Sequence, residues 1–187
     1  MPSNENRLRS WLILLAPVLL LVSLDQVTKW LVRQNLALGE MWAPIPALAK
    51  VFTITHVQNT GVSFGQFPGL GWVFMVVNLL VLLGILIYYP RIPAGQWKLR
   101  LASILVLAGA LGNWIDRLRT AFLYAEQAGS LLKALPHASV TDFMDFKIWP
   151  VWNLADLCTV TGVIILAWML WQAERAEANR ESVSNDA

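Results

Sequence analysis

LGWVFMVVNLLVLLGILIYY, residues 70–89, holds one strongly polar side chain, Asn78, in twenty positions. A helix needs about 20 apolar residues to cross the roughly 30 Å of hydrocarbon in a bilayer. Backbone groups in lipid find no water, so such a run must satisfy its own hydrogen bonds as a helix. Three more runs of this kind lie outward from it: 11–24, continuing helically through Asp25, Gln26 and Lys29 towards Val32; 97–115; and 151–171. Trp11, Trp30, Trp72, Tyr88, Tyr89, Trp97, Trp152, Trp168 and Trp171 sit near the ends of these runs, where aromatic rings favour the membrane–water boundary. The chain therefore reads as an α-helical membrane protein with four transmembrane helices.

Composition agrees. Apolar residues make up 57% and charged residues 14% of the 187, against about 45–50% and about 25% in soluble domains. A disordered chain, a coiled coil and a nucleic-acid binder are excluded. A formal charge of +2 implies no polyanionic partner. One cysteine, Cys158, leaves no disulfide framework, and two histidines are too few for most zinc sites. Residues 1–172 read as one four-span domain and the polar residues 173–187 as a disordered cytoplasmic tail. The first run is a retained span rather than a cleaved leader, because no small-x-small site follows it.

Four spans put both termini on one side. Arg7 and Arg9 precede the first span, and Arg91, Lys98 and Arg100 crowd the short link between the second and third, which places these segments in the cytoplasm. The opposite side also holds seven basic residues, Lys29, Arg33, Lys50, Arg117, Arg119, Lys133 and Lys147, so the orientation rests on the first flank and the short link. Two longer segments, about 34–69 and 116–150, then face outward. Residues 51–57, rich in β-branched side chains, predict a strand and Asn59-Thr60-Gly61 a turn, giving a small extracytoplasmic β element. Ala121, Ala125, Ala128, Leu132 and Leu135 recur at helical spacing, interrupted by Gly129 and ended by Pro136, and predict an interfacial helix.

The acids decide the chemistry. Asp25, Asp116, Asp142, Asp145 and Asp156 fall at the outer ends of spans or on the outer segment, and ionisable groups at a bilayer boundary are often functional. Asn113 and Asp116, and again Asn153 and Asp156, lie three apart and share a helix face. Asp156 lies five residues into the fourth run, about 7.5 Å deep. Two adjacent carboxyls that share one proton can hydrolyse an amide: one deprotonates a water, the other donates to the carbonyl oxygen. On these residues alone, the repeated Asn-x-x-Asp pattern pairs Asp116 with Asp156. Asp145 reads as solvated, His56 as a structural histidine despite Ser63 nearby, and Cys158 as a packed thiol. A small proton-coupled transporter component is the competing reading. Transporters, however, place coupling residues near the midplane, and here the middles of the spans are apolar apart from Asn78.

Five blocks occur in order: Asp25-Gln26-Val27-Thr28-Lys29, Asn59-Thr60-Gly61-Val62-Ser63-Phe64-Gly65, Gly112-Asn113-Trp114-Ile115-Asp116-Arg117, Val140-Thr141-Asp142-Phe143 and Trp152-Asn153-Leu154-Ala155-Asp156. Together they resemble the signature blocks of the lipoprotein signal peptidase (signal peptidase type II) family. The resemblance implies a four-span aspartyl endopeptidase of the bacterial inner membrane that needs no metal or cofactor. Such an enzyme acts as a monomer at the outer face on diacylglyceryl-modified prolipoproteins among membrane lipids, and cuts before the lipid-modified cysteine. It also implies that Asp142 and Asp156 are the catalytic pair, in place of Asp116 and Asp156. Asn59, Asn113, Arg117 and Asn153 become substrate-binding or acid-orienting residues, and Asp25, Lys29, Gly61 and Asp116 polar lining or structural residues. Their plainer readings are an in-helix ion pair for Asp25 and Lys29 and a phosphate contact for Arg117. The sequence departs from the family pattern at Trp152, where phenylalanine is usual, and at Val62-Ser63, where two alanines are common. Residues 118–139 form a longer stretch, and the run from Asp142 to Asp156 a shorter one.

Overall fold

The computed structural model describes residues 4–61 and 70–185. The Val62-Ser63-Phe64-Gly65 part of the second block lies outside them. The elements run α1 (Asn4–Asn35), β1 (Met41–Trp42), β2 (Thr53–Asn59), α2 (Gly71–Tyr88), α3 (Trp97–Ala128), α4 (Leu131–Ala134), β3 (Val140–Asp145) and α5 (Leu154–Asn185). Among the described residues, four helices, α1, α2, α3 and α5, are long and apolar enough to cross a membrane. With the small antiparallel sheet they form a multi-span helical membrane fold.

α3 is the hub, packing against α1, α2 and α5. Its buried face is built from small residues, among them Ala102, Ser103, Ala108, Gly109, Ala110 and Gly112, the type that lets helices approach closely where no hydrophobic effect drives them together. A Cβ at Gly109 would collide with Thr159 Oγ1 and the carbonyl of Ala155. At Gly112 it would lie 2.7 Å from a carboxylate oxygen of Asp25. Gly84, on α2, faces open space instead. Leu14, Val18, Leu82, Tyr89, Ile92, Ile104 and Leu107 form an apolar core. Asp25, Lys29, Asp116, Asp142 and Asn153 are equally buried and gather further along α1 and α3.

The sheet has the order β1-β2-β3, antiparallel throughout. Its register shifts between Ile54 and Val57: Thr53 faces Asp145 and Ile54 faces Met144, but Val57 faces Asp142 and Asn59 faces Val140. β2 thus carries one extra residue, and a bulge of this kind exchanges the two faces of a strand. Thr53 and Thr55 share the face of Asp145, whereas Val57 and Asn59 share the face of Asp142.

Several boundaries differ from the sequence reading. α3 does not stop near Ile115. The helical spacing expected of a separate interfacial helix is its unbroken continuation to Ala128, because nothing between Asp116 and Ala128 breaks a helix. Gly129 then ends it in the left-handed conformation, φ 67°, as glycine does at helix C-termini, and the single turn α4 and a 3-10 turn at Leu135–His137 follow. α5 begins at Leu154 rather than 151, since Trp152 pairs with Met144 beside β3, so Asp156 sits in the first turn and not five residues deep. α5 also runs on to Asn185, through the tail expected to be disordered, where Ala, Glu and Arg are strong helix formers. Asp145 is half-buried rather than freely solvated. It accepts from Thr55 Oγ1 at 3.0 Å and pairs with Lys147 at 2.5 Å, because the register sets it opposite Thr53.

Gly109→Ala is expected to destabilise the folded protein by about 1–3 kcal/mol through overpacking, while Gly84→Ala does not lower its stability. Thermal unfolding of the two purified variants in detergent checks this; equal midpoints would contradict the close α3–α5 approach.

Candidate active site

β3 delivers Asp142 and the first turn of α5 delivers Asp156. The Asn-x-x-Asp spacing at Asn153–Asp156 has a local cause. Asn153 Oδ1 accepts the backbone N–H of Asp156 at 3.0 Å, and Asp156 Oδ2 accepts the backbone N–H of Asn153 at 3.2 Å. This is the reciprocal arrangement of a capping box, with Asn153 as N-cap. It ties the Asp156 carboxylate to the start of the helix, where the macrodipole favours negative charge. Asn113 Nδ2 donates to the other oxygen, Asp156 Oδ1, at 2.7 Å.

Asp142 is 2% exposed. Each of its oxygens accepts one side-chain amide: Oδ1 from Asn153 Nδ2 at 2.6 Å and Oδ2 from Asn59 Nδ2 at 3.0 Å. The bulge in β2 is what turns Asn59 towards it. Asn59 Oδ1 also accepts the N–H of Gly61 at 3.0 Å, which forms the expected turn. Asn153 therefore touches both acids, Asp142 with its side-chain amide N–H and the Asp156 carboxylate with its backbone N–H. Burial, and then the neighbouring Asp156 charge, push the Asp142 carboxyl up to about 7, against the opposing pull of the Asn59 and Asn153 amides. A cleft of about 240 Å³ opens beside Asp142, lined by Val57, Gln58, Asn59, Thr60, Pro150 and Val151.

Beneath the acids lies an ionic layer. Lys29 meets Asp25 at 2.9 Å and Asp116 at 3.2 Å, and donates to Asn113 Oδ1 at 3.1 Å. Asp25 and Lys29 are thus the expected in-helix pair, extended to two further partners. Asp116 Oδ2 accepts the backbone N–H of Thr141 at 3.0 Å; it holds β3 and does not join Asp156. The pairing of Asp116 with Asp156 suggested by the repeated pattern is corrected on this ground: only the second copy of the pattern is a cap, while the first lies mid-helix in α3. Arg117 is buried, its guanidinium 5.4 Å over the Phe74 ring and its Nε without a hydrogen-bond partner among the described residues. His56 is buried with Nδ1 on the carbonyl of Leu36 at 2.9 Å.

One participant escaped the sequence reading. Arg33 Nη1 reaches Asp116 Oδ1 at 3.4 Å and Thr141 Oγ1 at 3.1 Å. The signal was present, since Asp25, Lys29 and Arg33 recur every four residues along one face of α1. Among the described residues no group of three or more His, Cys, Asp or Glu converges as metal ligands do.

The chain is also similar to known proteins. The family profile described as Signal peptidase (SPase) II matches residues 17–172. The chain is 38% identical over 158 residues to the lipoprotein signal peptidase of Halothermothrix orenii, covering 84% of this chain and 94% of the relative. It is 40% identical over 152 residues to that of Moorella thermoacetica, covering 81% and 88%. Two solved bacterial membrane enzymes share the fold: one with a TM-score of 0.69 at 27% identity, covering 88% of each chain, and one with a TM-score of 0.65 at 27% identity, covering 87% and 92%.

Proposed function

The chain belongs to the signal peptidase II family, and from that premise we propose that it is an aspartyl endopeptidase of the bacterial inner membrane, with Asp142 and Asp156 as its catalytic pair. It removes the signal peptide of diacylglyceryl-modified prolipoproteins by cutting before the lipid-modified cysteine. The observation that carries this reading is one residue, Asn153, hydrogen-bonded to two carboxyls, Asp142 through its side-chain amide and Asp156 through its backbone N–H, of which the first is buried and pushed up to about 7.

The raised group is the acid and its partner the base. Asp156, ionised, takes a proton from water; the hydroxide attacks the scissile carbonyl carbon as Asp142 gives its proton to the carbonyl oxygen. The tetrahedral intermediate collapses, the C–N bond breaks, and Asp156 returns its proton to the leaving amine of the cysteine. Asp142 regains a proton as the new carboxyl forms. The cleft beside Asp142 receives the extended peptide, whose backbone groups need partners in a site this dry. Asn59 and Arg117 are placed to supply donors, Arg117 with several N–H groups in a fixed fork.

The depth of the site fits the substrate. Asn113 lies sixteen residues along α3 from Trp97, about 24 Å at 1.5 Å per residue, so the acids stand near the membrane boundary opposite the basic link of Arg91, Lys98 and Arg100. With that link and both termini in the cytoplasm, the acids lie at the outer face. A prolipoprotein anchored by its acyl chains presents its cleavage site at that depth. Residues 1–172 act as one protease domain, as a monomer.

Asp142→Asn and Asp156→Asn should each lower cleavage of a lipidated precursor by at least about 100-fold, the contribution of a general acid or base, with protein levels unchanged. Near-normal processing in either variant overturns the assignment. Asp142 must hold its proton, so kcat/KM should fall as pH rises through about 7, by about tenfold per unit beyond it. A profile that stays flat to about pH 9 contradicts its role as the acid. Activity should survive EDTA; inhibition reversed by zinc would exclude a metal-free mechanism.

A further inference from the structure

Lys29 is fully buried, with no accessible surface. It cannot touch a substrate, and an isolated ammonium at such a place would be strongly disfavoured. Its three N–H donors have three acceptors: Asp25 Oδ2, Asp116 Oδ2 and Asn113 Oδ1, at 2.9, 3.2 and 3.1 Å.

Each acceptor leads to one part of the acid pair. Asp25 uses its other oxygen to accept the backbone N–H of Ala155 at 3.0 Å, the residue immediately before Asp156. Asp116 accepts the backbone N–H of Thr141 at 3.0 Å, the residue immediately before Asp142. Asn113 presents Nδ2 to Asp156 at 2.7 Å. Two kinds of contact thus converge on a single cation: two carboxylates that grip the chain one residue ahead of each acid, and one amide that serves an acid directly.

The amide arm has a definite polarity. A primary amide can turn over and exchange its oxygen for its nitrogen, but an ammonium has donors and no acceptor. Lys29 therefore requires the oxygen of Asn113, and the nitrogen is left for Asp156. The same oxygen accepts Asn153 Nδ2 at 3.2 Å, and this nitrogen also donates to Asp142. Reversed, Asn113 would set its carbonyl against a carboxylate and its N–H against two donors.

We propose that Lys29 is the positioning residue of the acid pair, fixing Asp156 through Asp25 and Asn113 and Asp142 through Asp116. The proposal rests on the reading of Asp142 and Asp156 as the reacting groups. A displacement of about 1 Å in a reacting group can lower a rate by about 100-fold, so the role shows in kcat and not in substrate affinity.

The test is made on the full-length protein in detergent micelles, with a lipidated precursor peptide as substrate and a peptide with a reduced scissile bond as binding probe. Lys29→Met should lower kcat by at least about 100-fold and leave KM and probe affinity within about threefold. Because it leaves one buried carboxylate unbalanced, it is paired with Lys29→Met/Asp25→Asn, in which Asp116 keeps Arg33 as its partner and no charge is unbalanced; this variant should fold and show the same loss. Retention of kcat within about threefold in either folded variant overturns the proposal. So does a raised KM at unchanged kcat, or failure of both variants to fold, which would make the cluster a folding element alone. Asp142→Asn and Asp156→Asn run alongside: activity in those controls refutes the acid pair itself, whereas dead controls beside active Lys29 variants refute only the positioning role.

Discussion

An ammonium without access to water, held by two carboxylates and one amide, is the interaction on which the rest of this end of the molecule depends. Lys29 and Arg33 bring two positive charges into the interior, and Asp25 and Asp116 bring two negative ones. None is tolerable alone in a low-dielectric setting, and together they are balanced. Buried ion pairs of this type contribute little net stability compared with well-packed apolar side chains. Their value here is directional. An apolar core would fill the same volume but would leave the N–H groups of Thr141 and Ala155 without acceptors, and β3 and the start of α5 without a fixed place.

Asparagine suits the layer above for the same reason. A side-chain amide both donates and accepts, so it passes orientation from a group of fixed polarity to one of variable polarity. Asn113, Asn153 and Asn59 form that layer, between a lysine that can only donate and carboxyls that gain and lose protons. The β2 bulge and the capping box are backbone devices serving the same arrangement: one turns Asn59 onto the face of Asp142, the other binds Asp156 to the first turn of its own helix.

The four spans were legible because apolar length is a strong signal in a membrane protein, and the strand because β-branched residues cluster in it. The end of α3 was not, since polar residues beyond Ile115 look like departure from the bilayer although nothing in them stops a helix. The acids themselves were legible, but their partnership was not. Asn113–Asp116 and Asn153–Asp156 have the same spacing and different causes, one a mid-helix face and the other a helix cap, and spacing alone does not separate them. The choice of Asp142 as the partner of Asp156 comes from the resemblance to known signature blocks. Asp145 was misjudged because its environment depends on a strand register set by a one-residue bulge, and Arg33 was passed over because it belongs to no block.

The close approach of α3 to α5 also limits how this protein can be hardened. Replacing helical glycine by alanine ordinarily stabilises a helix by reducing the freedom of the unfolded chain. At Gly109 the methyl group would wedge two helices apart, and at Gly112 it would push on the carboxylate that anchors Ala155. Efforts to obtain a heat-resistant version must therefore work at lipid-facing positions such as Gly84, and leave the seam between the central helices bare.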